Sequence, residues 1–187
     1  MLAVMAGLPA SGKSTIAVQL SARLGAVLLS KDKVRATLFP SELIEYSSSQ
    51  DDFCIEIILQ AAGYILERNP SSIIIIDGRT FSKRSQIQRI EAAAEHFHTK
   101  LKIIECVCTD ETAQRRIAQD KGKHLAANRN FDLYLRLKAD SDPIELPKLI
   151  LNTDRAGLEE NVRAAERYLI SADSISNRPA CQPKSMK

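Results

Sequence analysis

The chain has no tryptophan and only nine aromatic residues among 187, so it has few rings on which successive bases of a nucleic acid would stack. Long apolar runs are also missing. Leu2–Ala6 and Ile73–Ile76 fall far short of the roughly 20 residues of a spanning helix, which excludes a helical membrane protein. The apolar start has no basic n-region and stops at Gly7, too early for a secretory signal, so the expected location is the cytoplasm. Cysteines are few: Cys54, Cys106, Cys108 and Cys181 form no C-x-x-C pair and no zinc-ligand spacing with His96, His98 or His124. Cys106 and Cys108, two apart on a predicted strand, read as small core residues in a reducing compartment. Charge of one sign is scarce as well. With 26 Lys and Arg against 23 Asp and Glu, the net +3 is too small for whole-surface attraction to nucleic acid or anionic lipid.

What is present is enough sequence for one domain, able to bury roughly 70% of the surface of its unfolded chain. Short β-branched runs alternate with segments of helical period, the pattern of an α/β domain. Strands are predicted at Leu2–Ala6, Ala26–Leu29, Ser72–Asp77, Lys102–Val107 and Lys148–Leu151. Helical stripes follow at Ile16/Leu20/Leu24, Phe53/Ile57/Ala61/Ile65, Ile87/Ile90/Ala94/Phe97 and Leu158/Val162/Ala165/Leu169. These predict a five-stranded, mostly parallel, doubly wound sheet over residues 1–170. Tyr46–Gln50 reads as a short polar connector, and residues 171–187 as a disordered tail.

The strongest signal is Gly7-Leu8-Pro9-Ala10-Ser11-Gly12-Lys13-Ser14, which satisfies G-x-x-x-x-G-K-[ST] at every fixed position. Average residue usage would produce such a string by accident on the order of once in a hundred chains of this length. Its setting between an apolar strand and an amphipathic helix is the one the motif requires. Glycines at 7 and 12 let backbone N–H groups turn inward to hold phosphates. Gly7, Pro9, Ala10, Ser11, Gly12, Lys13, Ser14 and Thr15 are thus the candidate nucleotide-binding residues. Lys13 would reach the β- and γ-phosphates, and Ser14 would ligate Mg²⁺. No N-K-x-D guanine box is found, and the length leaves little room for the extra domains of a ring ATPase.

Two further acids fall at carboxyl ends of strands, where ligands bind in doubly wound folds. Asp32, after the second strand, is placed to accept the proton of an attacking hydroxyl. Arg35, three residues on, would hold an anionic substrate group or the transferring phosphoryl. The plainer alternative makes Ser30 an N-cap and Asp32 a partner of the helix dipole. Asp77 ends the buried strand of four isoleucines and is the candidate second residue for Mg²⁺. Arg79 beyond it either projects toward the acceptor or lies solvated on the surface.

Between the fourth and fifth strands, Arg115–Lys138 carries seven basic residues against two acidic ones, a local charge of +5. The tail carries +2, so the rest of the chain carries −4. Cations on a closing lid would offset the charge of a transferring group. Arg115 or Arg116 is the expected lid arginine, with Arg129 the second candidate. Asn152–Arg155 would flank a base, or serve only as a strand–helix turn.

Together Gly7–Thr15, Ser30–Arg35, Ile73–Thr80, the Arg115–Arg116 pair and the strand before Asn152 resemble the P-loop kinases. The nearest group is the small ATP-binding kinases related to polynucleotide 5′-hydroxyl kinase, zeta toxin and chloramphenicol phosphotransferase. The resemblance spans about residues 1–170. It implies a P-loop NTPase fold with a basic helical lid over about 110–138, ATP and Mg²⁺ as cofactors, and Asp32 as base for a substrate hydroxyl. The sequence departs from the group in reading Asp-Gly-Arg-Thr at 77–80, where Asp-Ala-Thr-Asn-like strings are common. This turn faces the second substrate, so the resemblance does not carry the acceptor's identity. The expected activity is transfer of the γ-phosphoryl of ATP to a hydroxyl of a small metabolite or nucleotide, with a nucleic-acid 5′ end less favoured. A nucleotide-binding switch or regulatory ATPase is the competing expectation, and no membrane partner is expected.

Overall fold

The computed structural model describes residues 1–44, 47–120 and 130–171. Five strands, β1 (Leu2–Ala6), β2 (Val27–Ser30), β3 (Ile74–Asp77), β4 (Leu101–Val107) and β5 (Lys148–Asn152), form one sheet in the order β2-β3-β1-β4-β5. Every neighbouring pair is parallel. β1 lies at the centre, and all five of its residues are buried, as are all four of β3. That environment is why these two segments read as unbroken apolar runs rather than as alternating ones.

Alternate residues of the strands feed two cores. Leu2, Val4, Ile74 and Ile76 face α3 (Ser48–Arg68) and α4 (Arg84–His96). Ala3, Met5, Ile75 and Ile104 face α1 (Lys13–Leu24) and α7 (Leu158–Ile170). The sheet is therefore doubly wound, as expected, and wholly rather than mostly parallel. α2 (Lys31–Leu38) packs beside α3, while α5 (Asp110–Gln119) and α6 (Phe131–Ala139) fill the crossover from β4 to β5. Those two helices share a small core of Ala113, Ile117 and Tyr134, against which Leu8 and Ala10 of the phosphate loop pack. Among the described residues no helix is long and apolar enough to cross a membrane.

Several expectations need correction. Register, not local propensity, sets the strand ends: Val27 pairs with Ile74 and Ser30 with Asp77, so β2 runs one residue further and β3 starts later than predicted. On α3 the buried stripe is Cys54, Ile55, Ile58, Leu59, Ala62 and Leu66, while Phe53 is half exposed. Residues 53–59 carry apolar side chains around most of one helical turn, so several stripes fit the period and packing selects among them. Leu158 is exposed in the first turn of α7. Ser48–Gln50 are not connector but the first turn of α3, capped by Ser47, whose Oγ accepts from the Gln50 N–H at 3.2 Å. Cys108 lies beyond the end of β4, half-buried with its Sγ 3.9 Å from the Ala10 carbonyl, so only Cys106 is a strand residue. Burial pushes the Cys106 thiol up to about 12, which keeps it an unreactive apolar side chain.

The central strands should dominate stability. Ile75→Ala, at a site with no solvent exposure, is expected to lower the unfolding free energy by about 3 kcal/mol in a urea titration. Ile150→Ala, 55% exposed on the edge strand, is expected to change it by less than about 0.5 kcal/mol.

Candidate active site

All five carboxyl ends of the strands meet at one edge of the sheet, and a cavity of about 650 Å³ opens there. The phosphate loop crosses its middle, rising from β1 and descending into α1. Its backbone turns left-handed at Gly7 (φ 129°), Ala10 (φ 63°) and Gly12 (φ 89°), which gathers the N–H groups toward one point. Gly7 admits no side chain, because a Cβ there would lie 2.2 Å from the Cys106 carbonyl oxygen of β4. Lys13 is buried, and its Nζ donates to the Leu8 carbonyl at 2.8 Å, bringing the ammonium back over the loop. Pro9, Ala10, Gly12, Lys13, Ser14 and Thr15 line the cavity, whereas Gly7 and Ser11 face a smaller hollow behind the loop.

Asp77 stands at the end of β3, 3% exposed, and its Oδ1 has no hydrogen-bond partner. A buried carboxylate oxygen without a donor is costly unless a cation or its water shell completes it. Asp77 lies outside the cavity lining, whereas Ser14 is part of it. A carboxylate and a hydroxyl are the donor types that suit Mg²⁺, which takes one or two protein oxygens and fills its other positions from phosphates and water. Among the described residues no group of three or more His, Cys, Asp or Glu is gathered to hold a metal alone.

On the β2–β3 side the sequence reading was incomplete. Asp32 lines the cavity as expected, but it belongs to a set of six charges. Lys31 Nζ donates to Asp51 Oδ1 at 2.7 Å and lies 3.7 Å from Asp32 Oδ1. Arg35 Nη1 is 3.3 Å from Asp32 Oδ1, and its Nη2 pairs with Asp51. Arg79 Nη1 donates to Asp52 Oδ1 at 2.5 Å. All three cations are buried. Arg79 is therefore not a solvated surface residue, and it lines the cavity. Arg35 lies beneath the two carboxylates and outside the lining, which suits it to fixing Asp32 rather than to gripping substrate. Gly78 makes this crowding feasible: at φ 103° it passes close to α2, where a Cβ would lie 3.0 Å from that of Lys31. Asp51 and Asp52 carry no local signal of this role, because they sit near the start of α3, some twenty residues from β2. The signal available was Ser47-x-x-Gln50, a capping-box pattern that starts a helix and would have put both acids at its mouth.

On the β4–β5 side Arg116 is the arginine that reaches the cavity. Its Nη1 donates at 3.0 Å both to the Ala10 carbonyl and to Thr153 Oγ1, and its Nη2 donates to the Thr153 carbonyl at 3.2 Å. Arg115 is exposed, 3.4 Å from Thr112 Oγ1, and does not line the cavity. Arg129 falls outside the described residues. The turn after β5 is ordered by Asn152, whose Oδ1 accepts from the Asp154 and Arg155 N–H groups, and by the buried Asn161, which donates to Ala156 and Gly157 carbonyls. Thr153, in the Asn152–Arg155 turn expected to flank a base, and Asn161, which had no distinguishing signal in the sequence, both line the cavity.

Residues 2–135 match the AAA_33 family, described as an AAA domain. Similar solved structures include a protein assigned as a kinase from Chloroflexus aurantiacus, 21% identical, TM-score 0.71, covering 89% of this chain and 97% of that one. The APS kinase of Mycobacterium tuberculosis, solved with AMPPNP and APS, is 16% identical, TM-score 0.66, covering 91% and 97%. A gluconokinase from Sinorhizobium meliloti 1021 is 18% identical, TM-score 0.61, covering 89% and 90%. These likenesses show the fold, an α/β sheet of the P-loop NTPase type. No curated protein matches the sequence at a significant level.

Burial lowers the Lys31 ammonium from 10.5 to about 8, Arg35 and Arg79 adding to the shift and Asp32 opposing it. Between these two values the unfolded chain keeps a proton that the folded chain has released, so stability should rise with pH across that window. Urea titrations from about pH 7.5 to about 10 should show a steeper rise for the wild type than for Lys31→Met. Parallel profiles would show that Lys31 titrates normally.

Proposed function

The chain belongs to the AAA_33 family, and from that premise we propose that it is an ATP-dependent kinase acting on a hydroxyl of a small metabolite or nucleotide. The observation that carries this reading is that the Asp32 carboxylate lines the same cavity as the phosphate loop. A protein that only binds or hydrolyses ATP has less need of a carboxylate held there by a buried arginine.

The roles follow from position. The inward N–H groups of residues 7–14 and the start of α1 bind the phosphates. Lys13 places its ammonium against the β- and γ-phosphates and offsets the charge that builds during transfer. Ser14 and Asp77 would hold Mg²⁺, which would supply positive charge to offset that of the phosphates. Asp32 accepts the proton of the acceptor hydroxyl as its oxygen bonds to the γ-phosphorus. The bond from that phosphorus to the β,γ-bridging oxygen breaks, and the electron pair leaves with ADP. Arg35 holds the Asp32 carboxylate in place, and Arg116 ties the β5 side of the cavity to the phosphate loop.

Two substitutions separate binding from chemistry. Lys13→Ala should abolish detectable ATP binding in calorimetry. Asp32→Asn should leave ATP affinity within about twofold while lowering transfer by roughly 10²- to 10⁴-fold, the usual contribution of a general base. Full transfer activity in Asp32→Asn would remove Asp32 from the chemistry.

A further inference from the structure

We propose that the phosphoryl acceptor is a neutral polyhydroxylated molecule, selected because the β2–β3 end of the cavity presents cations and carboxylates already matched one for one. The inference rests on the kinase reading above and names its acceptor class. In the lining there, Lys31 and Arg79 are opposed by Asp32 and Asp51, and outside it Arg35 pairs with Asp32 and Asp52 with Arg79, so the set carries no net charge. A carboxylate or phosphate monoester binds tightly where charged donors have no other anion to satisfy. Here it would enter beside two carboxylates of the lining, Asp32 and Asp51, in a half-buried site where like charges repel strongly. One of them, Asp32, must also stay ionised to take the proton.

The same wall suits hydroxyl groups. Each hydroxyl donates one hydrogen bond and accepts up to two, so it needs acceptors and donors side by side. Asp51 supplies acceptors, Lys31 and Arg79 supply donors, and the Ser47 and Ser48 hydroxyls line the same face. Arg79 adds a fixed donor to this wall: its residue is 5% exposed and lines the cavity, and Asp52 holds its guanidinium there, Nη1 to Oδ1 at 2.5 Å. Among the described residues no aromatic ring lines the cavity, so a stacked base has no platform there.

The test offers γ-labelled ATP to the full chain with ribose, glucose and myo-inositol, and with the charged counterparts gluconate, glucose 6-phosphate and AMP. Label should pass to at least one neutral polyol, with kcat/KM at least about tenfold above that of its charged counterpart. Asp51→Asn removes one carboxylate at constant shape and should shift that preference toward the charged acceptor by about tenfold. Asp52→Asn, at an exposed carboxylate, is the second variant if circular dichroism shows Asp51→Asn to be unfolded, and it should shift the preference in the same direction. Preferred transfer to gluconate, glucose 6-phosphate or AMP by the wild type overturns the neutral acceptor and leaves the kinase reading standing. An unchanged preference in the folded variants overturns the role of the matched charges. ATP consumed to free phosphate alone across the whole panel overturns the kinase reading and this inference with it.

Discussion

Parallel strands place all their carboxyl ends on one edge of a sheet, and the chemistry of this chain depends on that constraint. β1 takes the central position and delivers the phosphate loop to the middle of the edge. β3 beside it ends on Asp77, and β2 beyond that ends where Lys31 and Asp32 begin α2. On the opposite flank β4 runs toward α5 with Arg116, and β5 ends at the turn holding Thr153. The edge is thus divided by strand order: paired carboxylates and cations on one side, polar turns and Arg116 on the other. Only glycine at position 7 lets the central loop approach β4 closely enough for this division to hold.

Much of this was legible in the sequence because the features are local. A glycine-rich loop between an apolar strand and an amphipathic helix has few alternative readings; Asp77 follows a β-branched run directly, and Asp32 follows the apolar Val27–Leu29 with two residues between. The strands were found within about two residues, since buried parallel strands advertise themselves by composition. The α3 stripe was not, because Ile55, Ile57, Ile58 and Leu59 satisfy several helical registers, and only contact with the sheet decides which side is inward. Asp51 and Asp52 were hidden for a related reason. Their meaning comes from cations about 20 to 30 residues away, and no local pattern marks an acid as the partner of a distant lysine or arginine.

That pairing also explains how so much charge can be buried at low cost. A lone Lys31 or Arg35 at 2% exposure would be strongly unfavourable, whereas each meets two carboxylates within ion-pair distance. Asp51 occupies the first turn of α3, where the dipole favours it, and so its negative charge is supported from two directions. α2 and α3 are thereby held against each other by charge as well as by apolar contact. The wall of the cavity is set before any ligand arrives, which spares binding the cost of ordering it.

The basic segment between β4 and β5 deserves a different account from the one its charge suggests. A cluster of positive side chains reads as a mobile reservoir that closes on a triphosphate. In the described part of that segment the cations are already engaged. Arg116 spends its donors on Ala10 and Thr153, Lys138 meets Asp110 at 2.6 Å, and Arg115 rests on Thr112. Lys138 holds the Asp110 carboxyl below its ordinary value, and Asp110 also accepts from the Tyr134 hydroxyl, so α5 and α6 are locked as one hairpin. That hairpin packs on Leu8 and Ala10 through its own small core. These helices therefore brace the outer side of the phosphate loop.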